Sequence, residues 1–257
     1  MELKVILGVV TIAAIVLTIV TKTACYNCLE ESYQLAVEFM SKTQFSDLLQ
    51  KDEDGFYKTF FRTDLYARGV DSVAKYINLI KNRGVDDFTE EEKIKVQSAV
   101  EMSNKFLQQV HLPWFDGKKA SQEKWIIAKS TDVYEDGLPH TRGSVIVLGP
   151  KNLRDNLQTL SNTLTHEKIH IYQKKYKGDV KKYLSEKRFI RARERVERDL
   201  IRANPDVDNK VYTLFNDVEI KCQYTSQYPK SISDVKNSNQ YYEHPFERMV
   251  LDIIIDG

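Results

Sequence analysis

Cysteine is nearly absent: the chain of 257 residues holds three, Cys25, Cys28 and Cys222, too few for a disulfide framework. Net charge is nearly absent as well. Lysine and arginine number 38 against 37 aspartates and glutamates, a balance of +1 that points away from nucleic acid as a partner. Proline is sparse, and no repeat, proline-rich linker or low-complexity tract divides the chain. Histidine is rare too, with five in all, yet two of the five stand four residues apart. What remains is ordinary: 42% hydrophobic and 29% charged residues, as in a globular chain long enough for one catalytic domain and an added segment.

Long uncharged runs are missing with one exception, residues 5–20, which are interrupted only by Gly8, Thr11 and Thr18 among the apolar side chains. Extended to residues 3–24, the run approaches the ~20 residues that cross a bilayer core. Residues 1–24 are therefore expected to be a retained N-terminal membrane anchor, making this a single-pass membrane protein. The rival is a cleaved signal peptide, but Thr21-Lys22-Thr23 fits a small-residue cleavage site poorly, and cleavage after Ala24 puts Lys22 at −3. Lys4 and Lys22 flank the run and do not orient it. The Cys25-x-x-Cys28 pair follows directly. With no second pair and no βαβ pattern around it, it reads as membrane-proximal thiols and not as a redox or zinc motif.

Residues 25–120 read as a helical subdomain. Tyr33, Val37 and Met40, then Phe45, Leu48 and Leu49, recur at helical spacing, as do Val73, Tyr76, Ile77 and Ile80; Thr89 and Glu92 form a capping box for a helix that continues through Val96, Val100 and Leu107. After residue 120 the pattern changes. Residues 125–129 and 144–148 are β-rich runs separated by a loop with Gly137, Pro139 and Gly143, and Gly149-Pro150 ends the second. His140 and Arg142, just before that second run, read either as substrate contacts or as exposed loop residues. The alternating charge of residues 185–203 predicts a solvated helix face, and residues 211–215 and 218–224 a hairpin turning at Asn216-Asp217.

The two close histidines belong to His166-Glu167-Lys168-Ile169-His170. Four residues is just over one helical turn, so both imidazoles project from one face, where they can share a zinc ion. Glu167 stands where its carboxylate can take a proton from a water on that metal. Leu153, Leu157, Leu160, Leu164 and Ile171 share one stripe of the same helical pattern, with Thr159, Thr163, His166, His170 and Gln173 opposite. The apolar stripe is expected on the core and the polar one in a cleft. A third protein ligand is needed, from a downstream carboxylate or His244.

This segment resembles the zincin metallopeptidases, and residues 165–173 are similar to metallopeptidases encoded by large DNA viruses. The resemblance runs from about Trp125 to the C-terminus and is strongest at the motif and at residues 242–249. It implies an α+β, zincin-like fold, mostly helical with a small β-sheet, whose catalytic domain spans residues 121–257. Zincins lay the substrate backbone along an edge strand beside the zinc, which implies that role for residues 144–148. In gluzincins the third ligand is a Glu on a later helix, in several families two residues after a Pro. Pro245-Phe246-Glu247 matches, and Glu247 is the expected ligand, with Glu243 and His244 as fallbacks. Leu251 departs from the E-x-x-x-D form of some gluzincins. Tyr224, Tyr228, Tyr241 and Tyr242 are all open as oxyanion stabilisers.

The expected function is thus a membrane-anchored, zinc-dependent peptidase acting on a peptide or protein substrate. The alternative is a catalytically inactive zincin-fold membrane or virion protein with a structural or binding role, against which the intact Glu167 argues.

Overall fold

Ten short strands occur among the described residues. Along the chain, β1 (Val37–Phe39) and β2 (Val85–Asp86) come first, followed by a separate ribbon of β3 (His111–Leu112) and β4 (Phe115–Asp116), then β5 (Trp125–Ser130), β6 (His140–Arg142) and β7 (Val145–Leu148). A second sheet is made by β8 (Ile190–Glu194), β9 (Lys210–Thr213) and β10 (Glu219–Ile220). This computed structural model describes residues 35–214, 218–236 and 243–257. The anchor expected at residues 1–24, Cys25, Cys28, Tyr241 and Tyr242 lie outside them. Among the described residues no helix is long and apolar enough to cross a membrane.

The architecture is α+β. In the main sheet the order is β1-β5-β7-β6, with β2 pairing the far end of β5. The β1–β5 and β5–β7 pairs are parallel, and β6 runs antiparallel to β7. Unbroken apolar runs suit strands covered on both faces, and every residue of β7 is buried. Here the structure corrects the expected substrate-pairing strand. Residues 144–148 give an interior strand whose two edges are taken by β5 and β6, and the outer position belongs to the polar triplet His140-Thr141-Arg142.

Within residues 25–120, helices form at Lys42–Lys51, Arg62–Ala67, Val73–Arg83 and Glu90–Gln109. The Thr89 capping box is present: Glu92 N–H donates to Thr89 Oγ1 at 3.2 Å and Thr89 N–H to Glu92 Oε2 at 2.8 Å. Val37, read at helical spacing, instead pairs with Trp125 in β1. The sheet therefore takes strands from both sides of residue 120, and Val37–Gly257 forms one compact unit. Phe45, Leu49, Tyr76, Ile80, Ala128 and Val147 join helices to sheet in one cluster.

The helix Leu157–Lys175 crosses this core, capped by Asn156, whose side chain accepts from Thr159 N–H at 2.9 Å. Leu160, Leu164 and Ile171 face inward as expected; Leu157 is partly exposed, and Leu153 lies in the preceding short helix Pro150–Arg154. The long helix Glu90–Gln109 packs along it, and Thr165 Oγ1 donates to Ser103 Oγ at 2.8 Å in the seam. Lys168 is fully buried there. Its Nζ donates to the Glu123 and Lys124 carbonyls at 2.7 and 2.8 Å and lies 4.2 Å from the Trp125 ring. Burial pushes the Lys168 pKa down to about 7.

Residues 185–203 are not a helix, which corrects the expectation drawn from their charge. The helix Lys177–Glu186 ends before Arg188, which adopts a left-handed φ of 58°. The chain then enters β8 along the free edge of β9, and pairing with that edge overrides helical propensity. The hairpin is present but shorter than expected, with Thr213 opposite Glu219 and Tyr212 opposite Ile220.

Arg142 is not an exposed loop residue. Its guanidinium, 1% exposed, donates to Asp54 at 2.7 and 2.8 Å, Asp52 at 2.8 Å, Tyr57 Oη at 3.0 Å and Tyr134 Oη at 2.6 Å. Arg142→Met removes the buried guanidinium that Asp52 and Asp54 share, leaving them only the weaker influence of Lys58 and Lys174, and is expected to cost about 3 kcal/mol in urea unfolding. A loss under 1 kcal/mol sinks that account.

Candidate metal centre

His166 and His170 lie one above the other on the central helix because they are four residues apart, and their Nε2 atoms are 3.0 Å apart. The third corner comes from 77 positions downstream. Pro245 opens the C-terminal helix Pro245–Asp256, where its missing N–H costs no hydrogen bond, and His244 caps it by accepting from Phe246 N–H through Nδ1 at 3.2 Å. Met249, Val250 and Ile253 bury the inner face. That docking brings Glu247 Oε2 to 3.2 Å from His166 Nε2 and 3.4 Å from His170 Nε2.

These spacings suit a metal. Ligand atoms around a tetrahedral zinc with bonds of ~2.0–2.1 Å lie about 3.3 Å apart, and the observed triangle has sides of 3.0, 3.2 and 3.4 Å. Glu247 Oε2 is buried with no hydrogen-bond partner, a state suited to a ligand atom. The His170 tautomer is set from the other side of the ring: Nδ1–H donates to Gln173 Oε1 at 2.8 Å, leaving the Nε2 lone pair directed at the triangle. Gln173 Nε2 in turn donates to Phe246 O at 2.8 Å, tying the two helices together. Asn204 Nδ2 donates to Glu247 Oε1 at 3.0 Å and fixes that carboxylate.

The fallback ligands are engaged elsewhere. Glu243 is ion-paired with Arg202, and His244 stacks edge-on against Tyr212 and lies 3.2 Å from Asp208. A second set, Glu167, His170 and Asp206, also converges among the described residues. Its Asp206 Oδ1 is already committed, accepting from Thr141 N–H at 2.7 Å and Thr141 Oγ1 at 2.5 Å.

Glu167 is 2% exposed, and its Oε2 has no hydrogen-bond partner. Burial, reinforced by the carboxylates of Asp206 and Glu247, raises its pKa well above the usual carboxylate range in the metal-free protein. For His170, burial alone lowers the pKa, but Glu247 and Asp206 outweigh it and bring the value up to about 10. Burial likewise opposes ionisation of Glu247, yet His170 and His166 hold its pKa well below the ordinary carboxylate range. His140 lines the same cleft with a buried, unpartnered Nε2.

A pH dependence follows. Because the folded-state pKa of His170 is raised to about 10, its contribution to metal-free stability is full below the unfolded value of ~6.5 and is lost as pH rises through about 10. A metal ion held at His170 Nε2 would have to displace that proton, so affinity for an added divalent ion such as zinc is expected to rise ~tenfold per pH unit between pH 7 and 9. Competition against a chelator of known proton affinity measures this; a flat profile counts against a protonated His170.

Tyr224 and Tyr228 are not at the site: the first is buried and donates to Asp64 at 3.2 Å, and the second is 70% exposed. Cys222 is buried, and burial pushes its thiol up to about 12, which makes it a poor nucleophile. Two residues at the site carry no local signal for it, Asn204 and Asp206, which the sequence suggests only as a break around Pro205. Lys174, whose Nζ lies 3.9 Å from Asp206 Oδ1, was findable, since it stands four residues beyond His170 on the same helical face. Compared with protein-family models, curated proteins and solved structures, the chain has no significant match.

Proposed function

We propose that this protein is a zinc-dependent peptidase acting on a peptide or protein substrate, and that residues 1–24 hold it at a membrane. One observation carries the reading: two imidazole nitrogens and a carboxylate oxygen converge at 3.0–3.4 Å beside Glu167, whose buried carboxylate oxygen has no partner. The donor set, two imidazole nitrogens and one carboxylate, is of the kind that holds catalytic zinc, which supports the reading.

His166, His170 and Glu247 would hold the ion. Bound there, zinc supplies Lewis acidity toward a scissile carbonyl and lowers the pKa of water. Glu167 is the general base: it takes the proton of the attacking water and returns it to the leaving amine. Its desolvated setting favours the neutral carboxyl in the metal-free protein, and an adjacent cation counters that rise, bringing the group toward the range in which it accepts and releases a proton. Gln173 keeps His170 in the ligating tautomer, and Asn204 keeps Glu247 from rotating away.

Full-length protein is expected to carry about one zinc per chain and to cleave members of a broad fluorogenic peptide library. Stripping with a chelator should abolish both, and zinc should restore both. A purified chain that holds no zinc at micromolar free metal sinks the reading, as does hydrolysis that survives complete stripping.

A further inference from the structure

The segment Asn204-Pro205-Asp206 separates two cavities, lining both together with Arg202 and Glu243. The smaller, 360 Å³, contains the candidate centre, and its lining is acidic: five carboxylates, among them Glu135, Glu167 and Glu247, against the single cation Arg202. The larger, 1070 Å³, is lined by eight lysine and arginine side chains against four carboxylates; six of the eight are ion-paired, among them Arg191 and Lys210 with Glu194, Arg195 with Asp64 and Lys221 with Glu219, so its positive character among the described residues comes from Lys177 and Lys181. They touch opposite ends of β6, the first lined by His140 and the second by Gly143.

Thr141 lies between them at the middle of the outer strand. Its backbone is satisfied by side chains and not by a further strand: Thr141 N–H donates to Asp206 Oδ1 at 2.7 Å, and its carbonyl accepts from Lys174 Nζ at 3.0 Å. A carboxylate thus sits on the strand edge, 3.9 Å from the Lys174 ammonium. Beyond it, Lys177 and Lys181, one turn apart on the helix Lys177–Glu186, are exposed, line the larger cavity, and have no ion-pair partner among the described residues. Phe189, Tyr212 and Phe246 add an apolar lining. Clustered cations over apolar walls attract a chain segment carrying negative charge.

We propose that this basic cavity is a substrate subsite for acidic peptide segments, and that Asp206 occupies its entrance until a substrate carboxylate displaces it. The proposal rests on the peptidase reading and names its substrate class. Substrates then span both cavities along β6, with their acidic residues on the Lys174 side of the scissile bond.

The test uses the full chain carrying Glu167→Gln, loaded with zinc, and two labelled peptides: one with a run of glutamates and an otherwise identical one with glutamines. At low salt the glutamate peptide should bind ~tenfold more tightly, and the preference should fade as salt is raised. Lys177→Glu/Lys181→Glu should erase the preference while leaving the glutamine peptide unaffected, and Asp206→Ala should tighten the glutamate peptide several-fold. Equal affinities for the two peptides overturn the proposal, as does a preference that survives charge reversal. It is also overturned if charge reversal removes binding to phosphatidylserine vesicles and not to the peptide, because the cavity is then a membrane contact. The same titration on His166→Ala/His170→Ala separates the two readings. Metal content alone decides the zinc site, and the peptide preference, whose lysines touch no ligand, decides the subsite.

Discussion

Replacing Glu167 by Gln is expected to leave zinc at one per chain and to lower peptide hydrolysis by ~10²–10⁴-fold. The substitution changes almost nothing but proton affinity. Glu167 is 2% exposed, one of its oxygens has no partner, and the amide has the same shape, so the fold and the ligand triangle should persist. What is lost is the carboxylate that accepts the proton of water beside the ligand triangle. Asp206 is the nearest other acid, but its Oδ1 is held by the Thr141 N–H and hydroxyl. Parallel metal analysis and progress curves on the peptide library measure the outcome. Turnover within a factor of a few of wild type removes Glu167 from the role of base. Inactivity of both proteins, with zinc retained in both, would favour the alternative of a metal-holding structural or binding protein.

Glu247→Ala should weaken zinc binding by more than ~100-fold, the upper range seen when only an outer partner of a ligand is lost. The reason is geometric and electrostatic at once. Glu247 supplies the third corner and the only negative charge of the triangle, and its carboxylate is the first of the influences that raise the His170 pKa, ahead of Asp206. Without it the upward pull on His170 falls to that of Asp206 and Glu167 while burial still favours the neutral ring, which lessens the cost to the metal-free fold. That cost should stay at about 1–3 kcal/mol. Deleting residues 242–257 should do far more damage, since Met249, Val250 and Ile253 are all fully buried. Zinc titration by competitive chelation and urea unfolding of the stripped proteins distinguish the two variants. Zinc affinity unchanged in Glu247→Ala assigns the third ligand elsewhere, while the two histidines keep their own test.

The local grammar of this chain was legible in its sequence wherever the deciding interactions lie within a few residues. Thr89 and Glu92 cap a helix because each reaches the other's backbone within one turn, and His166 and His170 face the same way because a helix repeats every 3.6 residues. The runs at Trp125 and Val145 are strands because unbroken β-branched and aromatic residues suit a doubly covered sheet. Pro245 announced a helix start by its missing N–H. Helices and strands were thus both legible locally, in keeping with the α+β class that the resemblance implied.

Partners far apart in the chain were decided only by tertiary packing. Whether residues 144–148 lie inside the sheet or at its edge depends on where β6 pairs, and strand order leaves no trace in the run itself. Residues 190–194 carry helix-like charge alternation, yet they form β8 because the edge of β9 offers a ladder of backbone hydrogen bonds that outweighs a propensity difference of a few tenths of a kcal/mol per residue. The approach of Glu247 to the histidines, the Asn204 contact that orients it, and the Asp206 carboxylate on Thr141 each join segments separated by dozens of residues. Periodicity and capping act over a turn of helix or a pair of strands; the ligand triangle exists because burial of the C-terminal helix closes a loop of 77 residues.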